Sequence, residues 1–160
     1  MSASAKPTFS IRAAEPKDID VILQMIIELA VYEKEPDAVK ATPELLRKNL
    51  FEDKYANAIL AFSEEGQPIG LALYFFSFST WTGRPGLYLE DLYVKPEFRG
   101  SGAGKALFGR LGKIAQEKEW NQPSIDFYEK VLHAKPMSEW LGMRLEVDGI
   151  EALKKFDTSV

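Results

Sequence analysis

Apolar residues recur along this chain in two rhythms, one alternating and one helical, and their order predicts the elements. Thr8 to Arg12 alternates and reads as a first strand. From Asp18 to Tyr32, Ile19, Ile22, Leu23, Ile26, Ile27 and Ala30 fall on one face of an amphipathic helix. Thr42-Pro43-Glu44 opens a second helix, with threonine as the cap and proline in the first turn, where its missing N–H costs little. Ala58 to Ser63 and Ile69 to Ser79 read as a hairpin about Glu64-Glu65-Gly66-Gln67. Leu87 to Val94 is a further strand, and Gly102 to Lys118 a helix with Leu107, Leu111, Ile114 and Ala115 as its apolar stripe. Beyond it, Pro123 to Lys130 begins another helix, Met143 to Val147 reads as a late strand, and Ile150 to Phe156 as a short amphipathic tail. The pattern predicts one α+β domain over residues 8–160 with a mixed sheet, behind a loose tail of residues 1–7.

The junction from Leu87 to Lys105, LYLEDLYVKPEFRGSGAGK, carries the most chemistry. An apolar strand holds two adjacent carboxylates, Glu90 and Asp91, and Lys95-Pro96 marks a turn. Arg99-Gly100-Ser101-Gly102-Ala103-Gly104 then leads into the helix. Strand, glycine-rich turn and helix in that order aim backbone N–H groups and the positive helix end at one point, which suits phosphate. The P-loop spacing fails, because Arg99 stands where its first glycine belongs and Ala106 replaces its hydroxyl residue. The dinucleotide fingerprint fails too, with Lys105 at its third small position. A plain flexible turn is the bland alternative, but it needs neither the arginine nor three alternating glycines.

Composition narrows the choices. The 160-residue chain is long enough for a genuine core, and no apolar run reaches the length of a membrane span. Without cysteine it has no disulfide, thiolate metal site or cysteine acyl-enzyme route. Its single histidine, His133, cannot build a multi-histidine metal site and reads as a helix C-terminal residue. The net charge of −4, with no basic stripe, disfavours nucleic acid and suits a cationic ligand. Residues 1–7 lack the apolar centre of a signal peptide, so a soluble cytoplasmic protein is the expectation.

The Arg-Gly-x-Gly-x-Gly spacing after a strand resembles the acetyl-CoA pyrophosphate loop of GNAT N-acetyltransferases. Ser79-Thr80-Trp81-Thr82-Gly83-Arg84, Tyr88-Leu89-Glu90-Asp91 and the run from Trp120 to Tyr128 resemble the diamine (spermidine/spermine) and thialysine branch of that family. The resemblance extends from Ile11-Arg12 to Arg144-Leu145. It implies a mainly antiparallel central sheet flanked by helices. It also implies a strand between Glu119 and Trp120, for which there are no residues. Either the protein has lost about ten residues, the length of a strand with its turns, or they are missing from the sequence as written. The match on both sides favours the second, and an intact mass near 18.0 kDa would sink it.

The resemblance further implies acetyl-CoA as donor, a small amine as acceptor, no metal and a homodimer. Acetyl-CoA would lie against Leu92, Tyr93, Val94, Arg99, Gly100, Ser101, Gly102, Ala103, Gly104, Lys105, Asn121, Ser124 and Tyr128. Tyr128 would protonate the leaving thiolate, although its residue type alone reads as helix packing with the hydroxyl at the surface. Backbone N–H groups near Leu92 to Val94, freed by a strand bulge, would polarise the acetyl carbonyl. Tyr32, Glu33, Trp81 and Glu90 match acceptor positions, where aromatics and carboxylates can hold an alkylammonium. By itself Glu33 reads as a solvated charge at a helix end. A primary ammonium has a pKa near ~10.4, so roughly one in a thousand is free base at neutral pH. Glu90 and Asp91 are the candidate proton acceptors, Glu90 the favoured one; the alternative is that both brace a bulge. Acetylation of lysine-like amino acids, peptides or protein lysines, and an idle acyl-CoA-binding module, stay open as alternatives.

Overall fold

The computed structural model describes residues 9–80 and 83–117. Four strands, β1 (Phe9–Ala13), β2 (Asn57–Ser63), β3 (Pro68–Ser79) and β4 (Arg84–Val94), form an antiparallel sheet in the order β1-β2-β3-β4. The helices are α1 (Ile19–Tyr32), α2 (Pro43–Leu46, continued by a π-helical turn over Arg47–Glu52) and α3 (Ala103–Glu117). Asp18 closes a 3-10 turn, Pro16–Asp18, rather than starting α1. Thr42 caps α2 as expected, its hydroxyl accepting from the Leu45 N–H at 3.2 Å. The predicted late elements and the position between Glu119 and Trp120 lie outside the described residues.

Strand alternation divides the core. Ile59, Ala61, Ala72, Tyr74 and Leu87 face α3, whose Leu107, Leu111 and Ala115 pack against them. Leu60, Leu71, Leu73 and Tyr93 face the other way, onto Ile22 and Met25 of α1. Close approach of α3 to the sheet needs Gly70, since a Cβ there would lie 3.2 Å from Leu107 Cδ1 and from the Tyr93 carbonyl oxygen. On α1 the buried stripe runs through Ile19, Ile22 and Met25, which leaves Ile27, expected in the core, 38% exposed. β4 begins three residues earlier than Leu87. Pro85 pairs with Phe78, a position proline tolerates because β4 is the outer strand among the described residues.

A matched ion pair ties β1 to the start of α1. The Arg12 guanidinium donates to both oxygens of Asp18, at 2.7 and 2.9 Å, and the Glu15 N–H adds a third bond at 2.8 Å. Asp18 is only 6% exposed, and the Arg12 hydrogen bond holds its carboxyl below the usual aspartate value.

Candidate active site

β4 places two different environments along its C-terminal half and just beyond it. At the carboxylates the register against β3 slips: Asp91 opposes Leu73 and Leu89 opposes Tyr74, so Glu90 is the extra residue of a bulge. The bulge sets the neighbouring acids differently, with Glu90 exposed and Asp91 half-buried. Burial pushes the Asp91 carboxyl up, and the negative charges of Glu90 and of Glu33, just past the end of α1, push the same way. Three acids from two elements are therefore within electrostatic reach, and among the described residues no cation offsets them at Asp91.

The bulge lies at Glu90, not within the stretch from Leu92 to Val94 where it was expected. Leu92, Tyr93 and Val94 oppose Ala72, Leu71 and Gly70 in regular register. Past the strand's end, the Lys95 N–H donates to the Ile69 carbonyl at 2.9 Å. By alternation Tyr93 points its N–H toward β3, whereas Leu92 and Val94 point theirs to the far edge of β4. Strand alternation, rather than a bulge, turns these donors away from β3. The Tyr93 side chain is 4% exposed and packs against α1. A hydrogen bond with Glu28 of α1 and burial both raise the Tyr93 pKa, burial more.

Just past the C-terminal end of the strand, Arg99 leads into the glycine loop. Gly100 and Gly102 adopt φ of +81° and +92°, a region side chains strongly disfavour. Ala103 is buried under the loop and begins α3; its N–H takes the Ser101 hydroxyl as acceptor at 3.3 Å. Gly104 and Lys105 sit in the first turn, whose N–H groups have no acceptor within the helix. An open cleft of about 340 Å³ lies over this turn, bordered by Val94, Arg99, Gly102, Gly104 and Lys105. Outward N–H groups, a helix N-terminus and a lysine make it fit to hold a phosphate-like anion.

A second cleft, about 520 Å³, separates α1 from the strand's end. Its α1 wall is the stripe Gln24-Glu28-Tyr32, whose first two members are linked by a 3.1 Å hydrogen bond, together with Ile27. Arg99 borders both clefts. Its guanidinium lies 4.6 Å from the Tyr32 ring centroid and 6.0 Å from that of Tyr93, while its Nε donates to the Val94 carbonyl at 3.1 Å. Glu28 escaped the sequence reading, although its i, i+4 spacing from Gln24 and Tyr32 put it on that face. Trp81, Asn121, Ser124 and Tyr128 lie outside the described residues. Among the described residues no acidic or histidine cluster is arranged for a metal ion, and no helix is long and apolar enough to cross a membrane.

Comparison with known proteins agrees with this architecture. The acetyltransferase (GNAT) family matches residues 23–134. A thialysine N-epsilon-acetyltransferase of Sus scrofa is 38% identical over 164 aligned positions, covering 89% of this chain and 95% of that protein. Since 89% of 160 residues is about 142, about 22 of those positions have no counterpart in this chain. A spermidine/spermine N(1)-acetyltransferase-like protein of Homo sapiens is 34% identical over 80% of this chain and 21% of its own length. Among solved structures, a predicted acetyltransferase of Clostridium acetobutylicum with acetyl-CoA shares the fold. It superposes with a TM-score of 0.70 at 22% identity, over 85% of this chain and 96% of that one. The chain thus belongs to the acetyltransferase (GNAT) family and is an N-acetyltransferase.

Proposed function

We propose that the protein moves an acetyl group from acetyl-CoA to a primary amine of a small cationic acceptor, polyamine- or thialysine-like, by direct attack with both substrates bound. The carrying observation is that a single strand carries an acidic cluster at its bulge and leads, just past its C-terminal end, into an anion-binding loop. The loop fits a diphosphate on its own geometry: positive-φ glycines bare the backbone, and nothing lies within 4 Å of where their Cβ atoms would be. Bound acetyl-CoA supplies an acetyl group already activated as a thioester.

The chain's residues divide the remaining work. Gly100, Ser101, Gly102, Gly104 and Lys105 bind the diphosphate. The outward N–H groups of Leu92 and Val94 orient the acetyl arm along the open edge of β4. Glu33, Glu90 and Trp81 hold the acceptor ammonium, and the half-buried Asp91 beside Glu90 takes its proton. A carboxyl raised by burial is a stronger proton acceptor than a solvated one, which favours Asp91 over the exposed Glu90 for that step. Tyr128 donates the proton that the leaving sulfur needs, with Asn121 and Ser124 near the same helix start. Tyr128→Phe should slow turnover by ~10²–10⁴-fold with little change in donor affinity. The relatives named for thialysine and for spermidine/spermine support an amine of this size and charge, and a cytoplasmic homodimer fits the same family.

Turnover of acetyl-CoA across a panel of diamines, polyamines, lysine and thialysine tests this. Acetylation of at least one is expected. A second reading, an idle acyl-CoA-binding module, draws on the aligned positions without a counterpart. Donor-induced stabilisation without turnover of any amine would establish it instead.

A further inference from the structure

Arg99 is placed in two sites at once. Its backbone opens the glycine loop, while its side chain reaches back across the strand's end to α1. There the guanidinium covers the Tyr32 ring at 4.6 Å, and its Nε caps the outward Val94 carbonyl at 3.1 Å. Tyr32 is 65% exposed and faces the larger cleft, so the covered ring is the one an entering alkylammonium would meet. That ammonium would have to displace a like charge from the ring. An extended ligand lying along β4 would likewise find the Val94 carbonyl taken.

We infer that Arg99 sets the order of binding: it occupies the acceptor-facing ring of Tyr32 until a diphosphate on the glycine loop draws it away. The inference rests on the proposed donor site. Phosphate oxygens accept charge-assisted, paired hydrogen bonds from a guanidinium, a stronger contact than an exposed cation on a ring. The pivot is short, because Arg99 adjoins Gly100 at φ +81° and already borders the loop's cleft. Once Arg99 turns, the Tyr32 ring and the Val94 carbonyl become available together. Donor binding thereby opens the acceptor side, and an acceptor arriving first is turned away.

Two measurements test this on the whole chain. In the first, the Arg99 Nε–H resonance is assigned with Arg99→Lys, and its dependence on Tyr32 is read from Tyr32→Leu. Tyr32→Leu should move the resonance in the free protein and leave it unmoved at saturating coenzyme A. A dependence that persists with coenzyme A bound overturns the proposal. In the second, thialysine and spermidine are titrated calorimetrically with and without coenzyme A. At least one should bind about tenfold tighter with coenzyme A, within the usual range of coupling between sites. In Arg99→Gln the factor should fall to near one, with the amine binding the coenzyme-free variant as tightly as it binds the loaded wild type. An unchanged factor in Arg99→Gln also overturns the proposal. Failure of coenzyme A to bind the wild type would sink the donor-site reading and this inference with it. If coenzyme A binds but neither amine does, the acceptor reading fails and the resonance measurement decides alone.

Discussion

Asp18 and Asp91 are both withdrawn from water and both lie at the border of α1 with the sheet, yet their surroundings are opposite. Asp18 has a guanidinium on both oxygens and a backbone N–H besides, which lower its pKa. Among the described residues, burial raises the pKa of Asp91 and the negative charges of Glu90 and Glu33 add to it. A carboxylate that holds elements together is matched within the chain. One left unmatched is costly to the fold, and a cationic partner from outside would relieve it. In the proposed function the second setting is the acceptor's, and Asp91 is the acid whose loss should separate activity from stability.

The largest expected effect comes from Asp91→Asn. If Asp91 takes the acceptor's proton, turnover falls ~10²–10⁴-fold, and raising the pH toward the amine's own pKa restores part of it by supplying free base. A pH-independent loss, seen in the rate profile, would break the comparison by giving Asp91 a bracing role like that of Asp18. Gly102→Asp attacks the loop beyond β4. It forces a side chain into φ +92°, a strain of about 1–3 kcal/mol, and sets a negative charge where a diphosphate would lie. Acetyl-CoA should raise the melting temperature of the wild type but not of this variant, and an equal rise in both would unseat the loop assignment.

Smaller effects sharpen the contrast. Glu33 is exposed, so Glu33→Gln should raise the acceptor KM roughly two- to fivefold with kcat nearly unchanged, as befits a solvent-screened ion pair. An unchanged KM would leave Glu33 a solvated helix-end charge. Asp18→Asn should lower stability by about 1–2 kcal/mol, the partly exposed Arg12 keeping the loss at the low end for a charged hydrogen bond. Activity per folded molecule should hold, and denaturant titration beside a turnover assay measures both.

Much of this was legible in the sequence where local chemistry decides. Strand alternation located β1 to β3, Thr42-Pro43 the start of α2, and the spacing of Leu107, Leu111 and Ala115 the buried face of α3. The glycine loop was legible because positive φ restricts which residue can stand at positions 100 and 102. What depends on distant pairing was not. The bulge at Glu90 follows from how β4 meets Leu73 and Tyr74, and it decides which of two adjacent acids is buried. The start of β4 at Arg84 was not legible either, since only tertiary position shows that β4 is the outer strand among the described residues, where Pro85 is tolerated. The covering of Tyr32 by Arg99 joins residues far apart in the chain, with no shared period to reveal it.

The account turns on Asp91 being held at a cost to the fold, and melting temperature against pH, for wild type and Asp91→Asn, tests that directly. A carboxyl whose folded pKa is raised adds its full stability below the ordinary aspartate value of 3.8 and loses it as pH rises through the raised value. Asparagine escapes that loss. The variant should therefore melt above the wild type at neutral pH, with the difference shrinking toward acid. Asp18→Asn should show the reverse: its pKa is lowered, so the pairing it loses is fully present above 3.8 and fades only below it. An Asp91→Asn protein that melts below the wild type at neutral pH would contradict the account and return Asp91 to the structure of the bulge.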